Sequence, residues 1–81
     1  MKKYVAVFRS RTDVLTFIDD MRKSSAYAKV ISTPKEAKIG CGISAEISIV
    51  SLNIAKKLIK IKRYNSFHAI FLIDDRSVRI I

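Results

Sequence analysis

The chain is poor in residues that form cross-links or interrupt regular structure. Its 81 residues include one cysteine, one proline, two glycines and no tryptophan. A single cysteine cannot form a disulfide within the chain, so the sequence gives no sign of an oxidising compartment. It also cannot hold an iron–sulfur cluster, and His68 is the only histidine, so we expect neither a metal site nor a cofactor.

Long apolar stretches and acidic residues are also scarce. No apolar stretch approaches the roughly 20 residues of a membrane span, and Tyr4–Phe8 is too short for the core of a signal peptide. We therefore predict a cytoplasmic protein with no membrane partner. The 7 acidic residues against 16 Lys and Arg give a formal net charge of +9. This charge attracts phosphates, RNA or acidic protein surfaces, although an Ile- and Lys-rich composition produces the same excess without any function.

The rest of the chain shows regular patterns throughout. A length of 81 residues and an apolar content of 49% predict a single folded domain over residues 1–81. The predicted helices follow Ser10 to about Ser24 and Ser51 to about Arg63. The predicted strands are Tyr4–Phe8, Ala28–Thr33, Ile43–Ile49, Phe67–Ile73 and Val78–Ile81.

This order, β-α-β-β-α-β, predicts an α+β sandwich in which two helices cover one face of an antiparallel sheet. Tyr4–Phe8 is apolar throughout, which is typical of a central strand buried on both faces. Ile43–Ile49 alternates apolar and polar residues, as a half-buried strand does. With right-handed crossovers, the expected fold is the ferredoxin-like split βαβ sandwich, with strand order 4-1-3-2 and a short C-terminal strand.

Serine caps and apolar stripes define the two predicted helices. Ser10, with Asp13 three residues later, resembles a capping box, and Ser51 is a candidate cap for the second helix. The residues expected to be buried recur at helical spacing. They are Val14, Ile18 and Met21 in the first helix and Ile54, Leu58 and Ile61 in the second.

The stretch Gly40-Cys41-Gly42 holds the only cysteine between the only two glycines. It ends a loop that begins at Pro34, and the predicted topology puts this loop beside the end of the first strand and the end of the second helix. Polar and basic residues are expected around the thiol there. They are Arg9, Ser10, Arg11 and Arg63 from neighbouring segments, and Lys35 and Lys38 from the loop itself.

This placement favours a reactive Cys41. Cations and a helix N-terminus favour the thiolate, which is the nucleophilic form of cysteine. Flanking glycines remove side-chain bulk, so a partner can approach the sulfur, and they permit unusual backbone dihedrals. In the alternative interpretation, Gly40 and Gly42 only shape a turn and Cys41 is a small buried residue.

Two other functions fit the same sequence. An RNA-binding module, or one that binds an acidic partner, would use the basic face of the second helix, which carries Lys56, Lys57, Lys60 and Arg63. Bases would stack on the strand aromatics Tyr4, Phe8, Phe67 and Phe71, although no strand has the glycine of the RNA-recognition signature. An interaction protein would form a homodimer through the edge strand Ala28–Thr33, because open sheet edges invite pairing.

The run Pro34-Lys35-Glu36, followed by Cys41-Gly42, resembles a small bacterial family named Putative selenium/sulfur carrier protein-like. The resemblance extends from the first strand through the second helix. Lys35 stands where the family usually has arginine, and lysine keeps the charge but lacks the planar fork that binds anions through two hydrogen bonds. The matching positions are Phe8, Ser10, Pro34, Cys41 and Gly42.

The resemblance implies a carrier role for Cys41. The cysteine would take a persulfide or selenosulfide from a donor enzyme similar to a cysteine desulfurase and pass it to an acceptor protein. It implies a non-catalytic carrier and not an independent enzyme. The chain also lacks a second cysteine that would trap the carrier thiol as a disulfide.

Overall fold

The strands and helices form in the order that the residue patterns indicate. The computed structural model describes residues 2–37 and 41–81. Short 3₁₀ turns at Lys35–Ala37 and Ile49–Ser51 precede the third strand and the second helix. The elements are β1 (Lys3–Phe8), α1 (Arg11–Lys23), β2 (Ala28–Ser32), β3 (Ile43–Ile47), α2 (Leu52–Lys62), β4 (Phe67–Ile73) and β5 (Val78–Ile80).

Neighbouring strands are antiparallel throughout the sheet, whose order is β2-β3-β1-β4-β5. The predicted α+β class, with an antiparallel sheet and two helices, is confirmed. The predicted ferredoxin-like sheet with order 4-1-3-2 does not match the observed sheet exactly. Read from the opposite edge, it gives the first four strands, but the sheet has a fifth because β5 pairs with β4.

The centre of the sheet is β1, and it is buried on both faces as its apolar run predicts. Ala6 and Phe8 belong to the main core, which both helices cover. Val5 and Val7 face the other way and pack with Phe71 and with Ala37 from the first 3₁₀ turn. All four of these β1 residues are 0% exposed. The connection between β2 and β3 therefore covers part of the sheet face that the helices leave open.

Two apolar residues predicted to be buried are exposed. Strand β3 ends at Ile47, and Ile49 enters a 3₁₀ turn where it is 67% exposed. Ile61 is 63% exposed because α2 turns Ala55 towards the core. Ile61 lies roughly 120° around the helix from Ala55. Ile54 and Leu58 of the predicted stripe are half-buried against the core, and Ala55 between them is fully buried.

Ser51 does not cap α2 as predicted. Its side chain makes no capping hydrogen bond, since a 3₁₀ turn leads directly into the helix. Its Oγ instead accepts hydrogen bonds from the Tyr27 backbone N–H at 3.0 Å and from the Ser48 hydroxyl at 2.9 Å. Ser51 thereby ties the start of α2 to the start of β2. None of the helices in the described ranges has the length and apolarity that crossing a bilayer requires.

Candidate functional site

The strand directions bring several predicted site residues to one end of the sheet. Strands β1 and β2 both run antiparallel to β3, so they point the same way. Strand β4 is antiparallel to β1 and starts where β1 ends. The segment after β1, the residues before β3 and the turn before β4 consequently share this end. We call it the thiol end, and it comprises Arg9–Ser10, Cys41–Gly42 and Arg63–Ser66.

Cys41 is partly buried at the thiol end. It packs against the main core on the helix-covered face of the sheet. Its thiol donates a hydrogen bond to the carbonyl oxygen of Ile43, with 3.5 Å between sulfur and oxygen. The thiol is free, and it is neither fully exposed nor enclosed by the core. Cys41 is thus a half-buried residue that contacts the core, and the reactivity of its thiol stays a prediction.

Gly42 fixes the backbone next to the thiol. Its φ of +95° lies in a region that side-chain-bearing residues rarely adopt, and a Cβ there would meet no atom within 4 Å. Backbone conformation, and not lack of space, is what requires glycine at this position. The Gly42 carbonyl accepts a hydrogen bond from the Thr33 N–H at 3.0 Å, which closes the β2–β3 connection.

The remaining predicted loop residues are placed only in part. Pro34 is half-buried and Lys35 is exposed at the start of the 3₁₀ turn. Lys38 and Gly40 lie outside the described residues. Beside this loop, the hydroxyls of Thr33 and Ser44 share a hydrogen bond of 2.8 Å. Ser44 is fully buried, so this bond satisfies a hydroxyl that would otherwise be costly to bury.

Ser10 caps α1 as predicted, but the Asp13 carboxylate does not accept the second hydrogen bond of the predicted capping box. The Ser10 hydroxyl oxygen accepts a hydrogen bond from the Asp13 N–H at 3.4 Å. In a capping box, the Asp13 carboxylate would accept from the Ser10 N–H. That N–H instead donates to the hydroxyl of Ser66 at 3.0 Å.

Ser66 completes the cap by bridging Ser10 and Asp13. One carboxylate oxygen of Asp13 accepts from the Ser66 N–H at 2.9 Å and from the Ser66 hydroxyl at 2.6 Å. The Ser66 carbonyl also accepts from the Arg9 N–H at 2.9 Å. We call Ser10, Asp13 and Ser66 the serine–aspartate relay. It joins the β1–α1 turn to the α2–β4 turn.

An aromatic cluster lies inside the molecule next to the relay. Phe8 packs against Phe17, Tyr64 and Phe67 with ring centroids 5.2–5.6 Å apart. The Tyr64 hydroxyl donates to a carboxylate oxygen of Asp20 at 2.7 Å. Burial, together with the hydrogen bond and charge of Asp20, raises the pKa of Tyr64. The aromatic cluster adjoins the thiol end because Tyr64 belongs to both.

This raised pKa predicts a loss of stability in alkali. The unfolded chain releases the Tyr64 proton near pH 10, while the folded chain keeps it to higher pH, so the free energy of unfolding falls above about pH 10. We expect Tyr64→Phe to lose less stability than the unmodified chain between about pH 9 and about pH 11, as measured by urea unfolding. Tyr27→Phe is the control because Tyr27 is 50% exposed. An equal loss in both variants would contradict the prediction.

Two of the four aromatic residues predicted to stack on RNA bases are buried and therefore inaccessible to RNA. Phe8 is fully buried and Phe71 is 6% exposed, and the two face opposite sides of the sheet. They cannot form one base-stacking surface. The lysines on the basic face of α2 are exposed, so binding of RNA phosphates or of an acidic partner stays a prediction. These lysines are Lys56, Lys57 and Lys60.

Four of the basic residues predicted near Cys41 lie within the described part of the chain, in or next to the segments of the thiol end. Arg9, Arg11, Lys35 and Arg63 are all exposed. Among the described residues, no hydrogen bond or ion pair joins any of these four to Cys41. Arg63 ends α2 in the left-handed conformation, with φ of 51°. We call these four exposed residues the basic rim, and within residues 2–37 and 41–81 none of them pairs directly with the thiol.

The described part of the chain shows neither a metal-binding group nor a pocket at the thiol end. No three His, Cys, Asp or Glu side chains there are grouped closely enough to hold a metal ion. The surface of residues 2–37 and 41–81 also has no pocket. What the described arrangement offers is one free cysteine that is half-buried at the end of the sheet.

The comparisons with known proteins agree with the motif around this thiol. Residues 3–66 match the family described as Putative Se/S carrier protein-like. The matched region includes the whole thiol end, from Arg9–Ser10 through Cys41–Gly42 to Ser66. No curated protein and no solved structure matched the chain. A match over most of the chain shows membership, and the protein belongs to the Putative Se/S carrier protein-like family.

Proposed function

We propose that the protein carries one sulfur or selenium atom on Cys41 between a donor enzyme and an acceptor protein. The observation that carries the proposal is a single free thiol, partly accessible at the thiol end, in a chain of this family. No other cysteine in the chain competes for the cargo. The role proposed for Cys41 is to hold the atom, while the chemistry that releases it belongs to the donor.

Loading requires one exchange step and no external oxidant. The Cys41 thiolate attacks the outer sulfur of a cysteine persulfide on the donor. A new S–S bond forms on Cys41, the donor S–S bond breaks, and the donor cysteine leaves as a thiolate. Delivery repeats the exchange, with an acceptor thiolate attacking the outer sulfur and Cys41 leaving as the thiolate. A donor that holds a selenosulfide would transfer its outer selenium in the same way.

The surroundings of Cys41 suit an exchange between proteins better than catalysis on a small molecule. The described surface has no pocket that would hold a free substrate. Gly42 presents no side chain beside the sulfur, so the cysteine of a partner can approach from that side. The weak hydrogen bond from the thiol to Ile43 is readily broken when the sulfur turns towards a partner.

The basic rim supplies an attraction for the partners. Arg9, Arg11, Lys35 and Arg63 are exposed, and Arg9 and Arg63 belong to segments of the thiol end. An acidic surface around the donor cysteine would complement this rim and speed the encounter. The bound persulfide is acidic, and its anion would also be favoured there. We infer that both donor and acceptor present acidic residues around their reactive sulfur.

The test is transfer of sulfur to the folded protein. The chain is incubated with a cysteine desulfurase and L-cysteine, and its intact mass is measured under non-reducing conditions. We expect a mass gain of one sulfur atom, located on the peptide that contains Cys41. The adduct should disappear when a small thiol is added as acceptor, with recovery of the original mass.

Two controls make this result specific. Cys41→Ser should gain no mass, since it keeps a similar shape and removes the nucleophile. The chain unfolded in urea should load more slowly than the folded chain if the thiol end assists the exchange. A folded chain whose Cys41 stays unmodified by both the persulfide donor and an alkylating reagent would rule out the carrier role.

A further inference from the structure

The sheet has two open edges, and they differ in what they offer a partner. Strand β2 forms one edge and β5 the other. An edge strand exposes unpaired backbone N–H and C=O groups, which can pair with another strand. Many proteins protect such edges with charged side chains. The residues of the two edges decide which of them is open to pairing.

The register of β2 shows which of its backbone groups face outward. The Thr33 N–H donates to the Gly42 carbonyl, so Thr33 and Gly42 occupy a hydrogen-bonded position of the ladder. Hydrogen-bonded positions alternate along an antiparallel ladder. The pairs Ile31–Ser44 and Lys29–Glu46 are therefore hydrogen-bonded positions too. The N–H and C=O groups of the intervening residues point away from the sheet. These residues are Ala28, Val30 and Ser32.

We propose that two copies of this chain pair through β2, antiparallel, about a two-fold axis at Val30. With Val30 opposite Val30 of the second copy, Ala28 lies opposite Ser32. All three outward-facing residues then occupy hydrogen-bonded positions, which gives roughly six hydrogen bonds across the interface. The match is self-complementary, as an interface between identical copies must be. The two sheets would join into one continuous sheet.

The side chains at this edge favour the pairing. Val30 is on the helix-covered face, in register with Ala45, and is 45% exposed. Leu15 of α1 is 52% exposed and lies roughly 140° around the helix from Asp20, which contacts Tyr64 on the α2 side. Leu15 therefore points towards the β2 edge. Pairing would bring the two Val30 side chains together and shield apolar surface next to each Leu15.

The charges along β2 do not oppose this arrangement. On the other face of the sheet, Lys29 would lie opposite Ile31 of the second copy, which carries no charge. Within its own chain, Lys29 lies opposite Glu46, whose carboxylate is also 3.9 Å from the Lys3 amine. The local excess of positive charge is thereby reduced at the edge itself.

The β5 edge is less suitable for pairing two copies, because its register leaves fewer backbone groups facing outward. The Asp74 N–H donates to Ser77 and the Ile81 N–H donates to Ile70, so only Val78 and Ile80 present outward-facing backbone groups. Two copies of β5 paired about a two-fold axis would make roughly four hydrogen bonds. They would also place Arg79 directly opposite Arg79, and like charges opposite each other destabilise a strand pair.

The net charge gives the dimer a characteristic salt dependence. Each copy carries a formal charge of +9, so two copies repel each other over long range. Added salt screens that repulsion, while the hydrogen bonds and apolar contacts at β2 persist. Dimerisation should therefore strengthen with salt concentration. Binding to RNA phosphates would show the opposite dependence.

The test is sedimentation of the full chain over a range of protein and salt concentrations. We expect a monomer–dimer equilibrium that shifts towards dimer as salt rises. Val30→Pro removes an outward N–H, which keeps every β2–β3 hydrogen bond, and should weaken dimerisation about a hundredfold or more. Ile80→Pro is the matched control, because it removes an outward N–H at the β5 edge and should leave dimerisation unchanged.

A cross-link tests the register independently of proline tolerance. In a Cys41→Ser background, Val30→Cys should form a disulfide-linked dimer under mild oxidation. Residues directly opposite at a hydrogen-bonded position have Cα atoms about 5.5 Å apart, which a disulfide spans. Ile80→Cys in the same background should cross-link far more slowly. A monomer at every concentration and salt, or a cross-link that forms equally at both edges, would overturn the proposal.

Discussion

Phe8→Ala is expected to lower the free energy of unfolding by about 3–5 kcal/mol. Phe8 is 0% exposed at the end of the central strand. Its ring contacts Phe17, Tyr64 and Phe67 at centroid distances of 5.2, 5.6 and 5.5 Å, so alanine leaves a cavity and removes three aromatic contacts. Domains are commonly stable by about 5–15 kcal/mol, and those of this length lie towards the lower end. The variant would therefore keep little of its stability.

The measurement is urea unfolding followed by circular dichroism at neutral pH. Phe8→Leu should lose markedly less than Phe8→Ala, because leucine fills most of the cavity. Leu15→Ala is the surface control, since Leu15 is 52% exposed, and should change stability by less than about 1 kcal/mol. A loss for Phe8→Ala no larger than that of Leu15→Ala would contradict the packing described for β1.

Asp13→Ala is expected to lower the free energy of unfolding by about 2–4 kcal/mol. The carboxylate accepts two hydrogen bonds from Ser66, at 2.9 and 2.6 Å, and it lies in the first turn of α1. Alanine would leave the Ser66 N–H without this partner, and the negative charge that suits a helix N-terminus would be lost. Asp13→Asn should have an intermediate effect, because the amide oxygen can still accept.

Asp19→Ala is the matched control on the same helix. The Asp19 side chain is 61% exposed and pairs with Lys23, four residues later, at 3.0 Å. Solvent screens such an exposed pair, so we expect its removal to change stability little. Urea unfolding of both variants separates the relay from a general effect of removing an acid from α1. Equal losses for Asp13→Ala and Asp19→Ala would show that the relay does not hold the two turns together.

Much of the fold follows from short stretches of sequence. The unbroken apolar run of β1 predicted a strand buried on both faces, and its residues from Val5 to Phe8 are fully buried. The placement of Cys41 at the end of the sheet where β1 ends followed from topology, because alternating strand directions leave little freedom for the connections. Ser10 was recognisable as a cap because its hydroxyl needs only local backbone geometry.

The parts that sequence reasoning missed depend on contacts between distant segments. The carboxylate of Asp13 is one methylene shorter than that of glutamate, and it bonds to Ser66, 53 residues away. No local pattern marks Ser66 as its partner. The exposure of Ile61 depends on how α2 rotates over the sheet around Ala55, which a periodic stripe does not specify. The partial burial of Cys41 likewise depends on its contacts with core residues from other segments.

The anchoring of the segment before β3 limits how a carrier thiol could reach its partners. Ala37 is 6% exposed on one face of the sheet, and Cys41 packs against the core on the other. Four residue steps between them span at most roughly 14 Å, and Gly42 is held by Thr33 on the far side of the cysteine. In the proposed carrier, the thiol would therefore stay near this end of the sheet and would not move between distant partners as a thiol on a long flexible arm does. A donor and an acceptor would each have to bind the same small surface. Their binding would therefore be sequential and mutually exclusive.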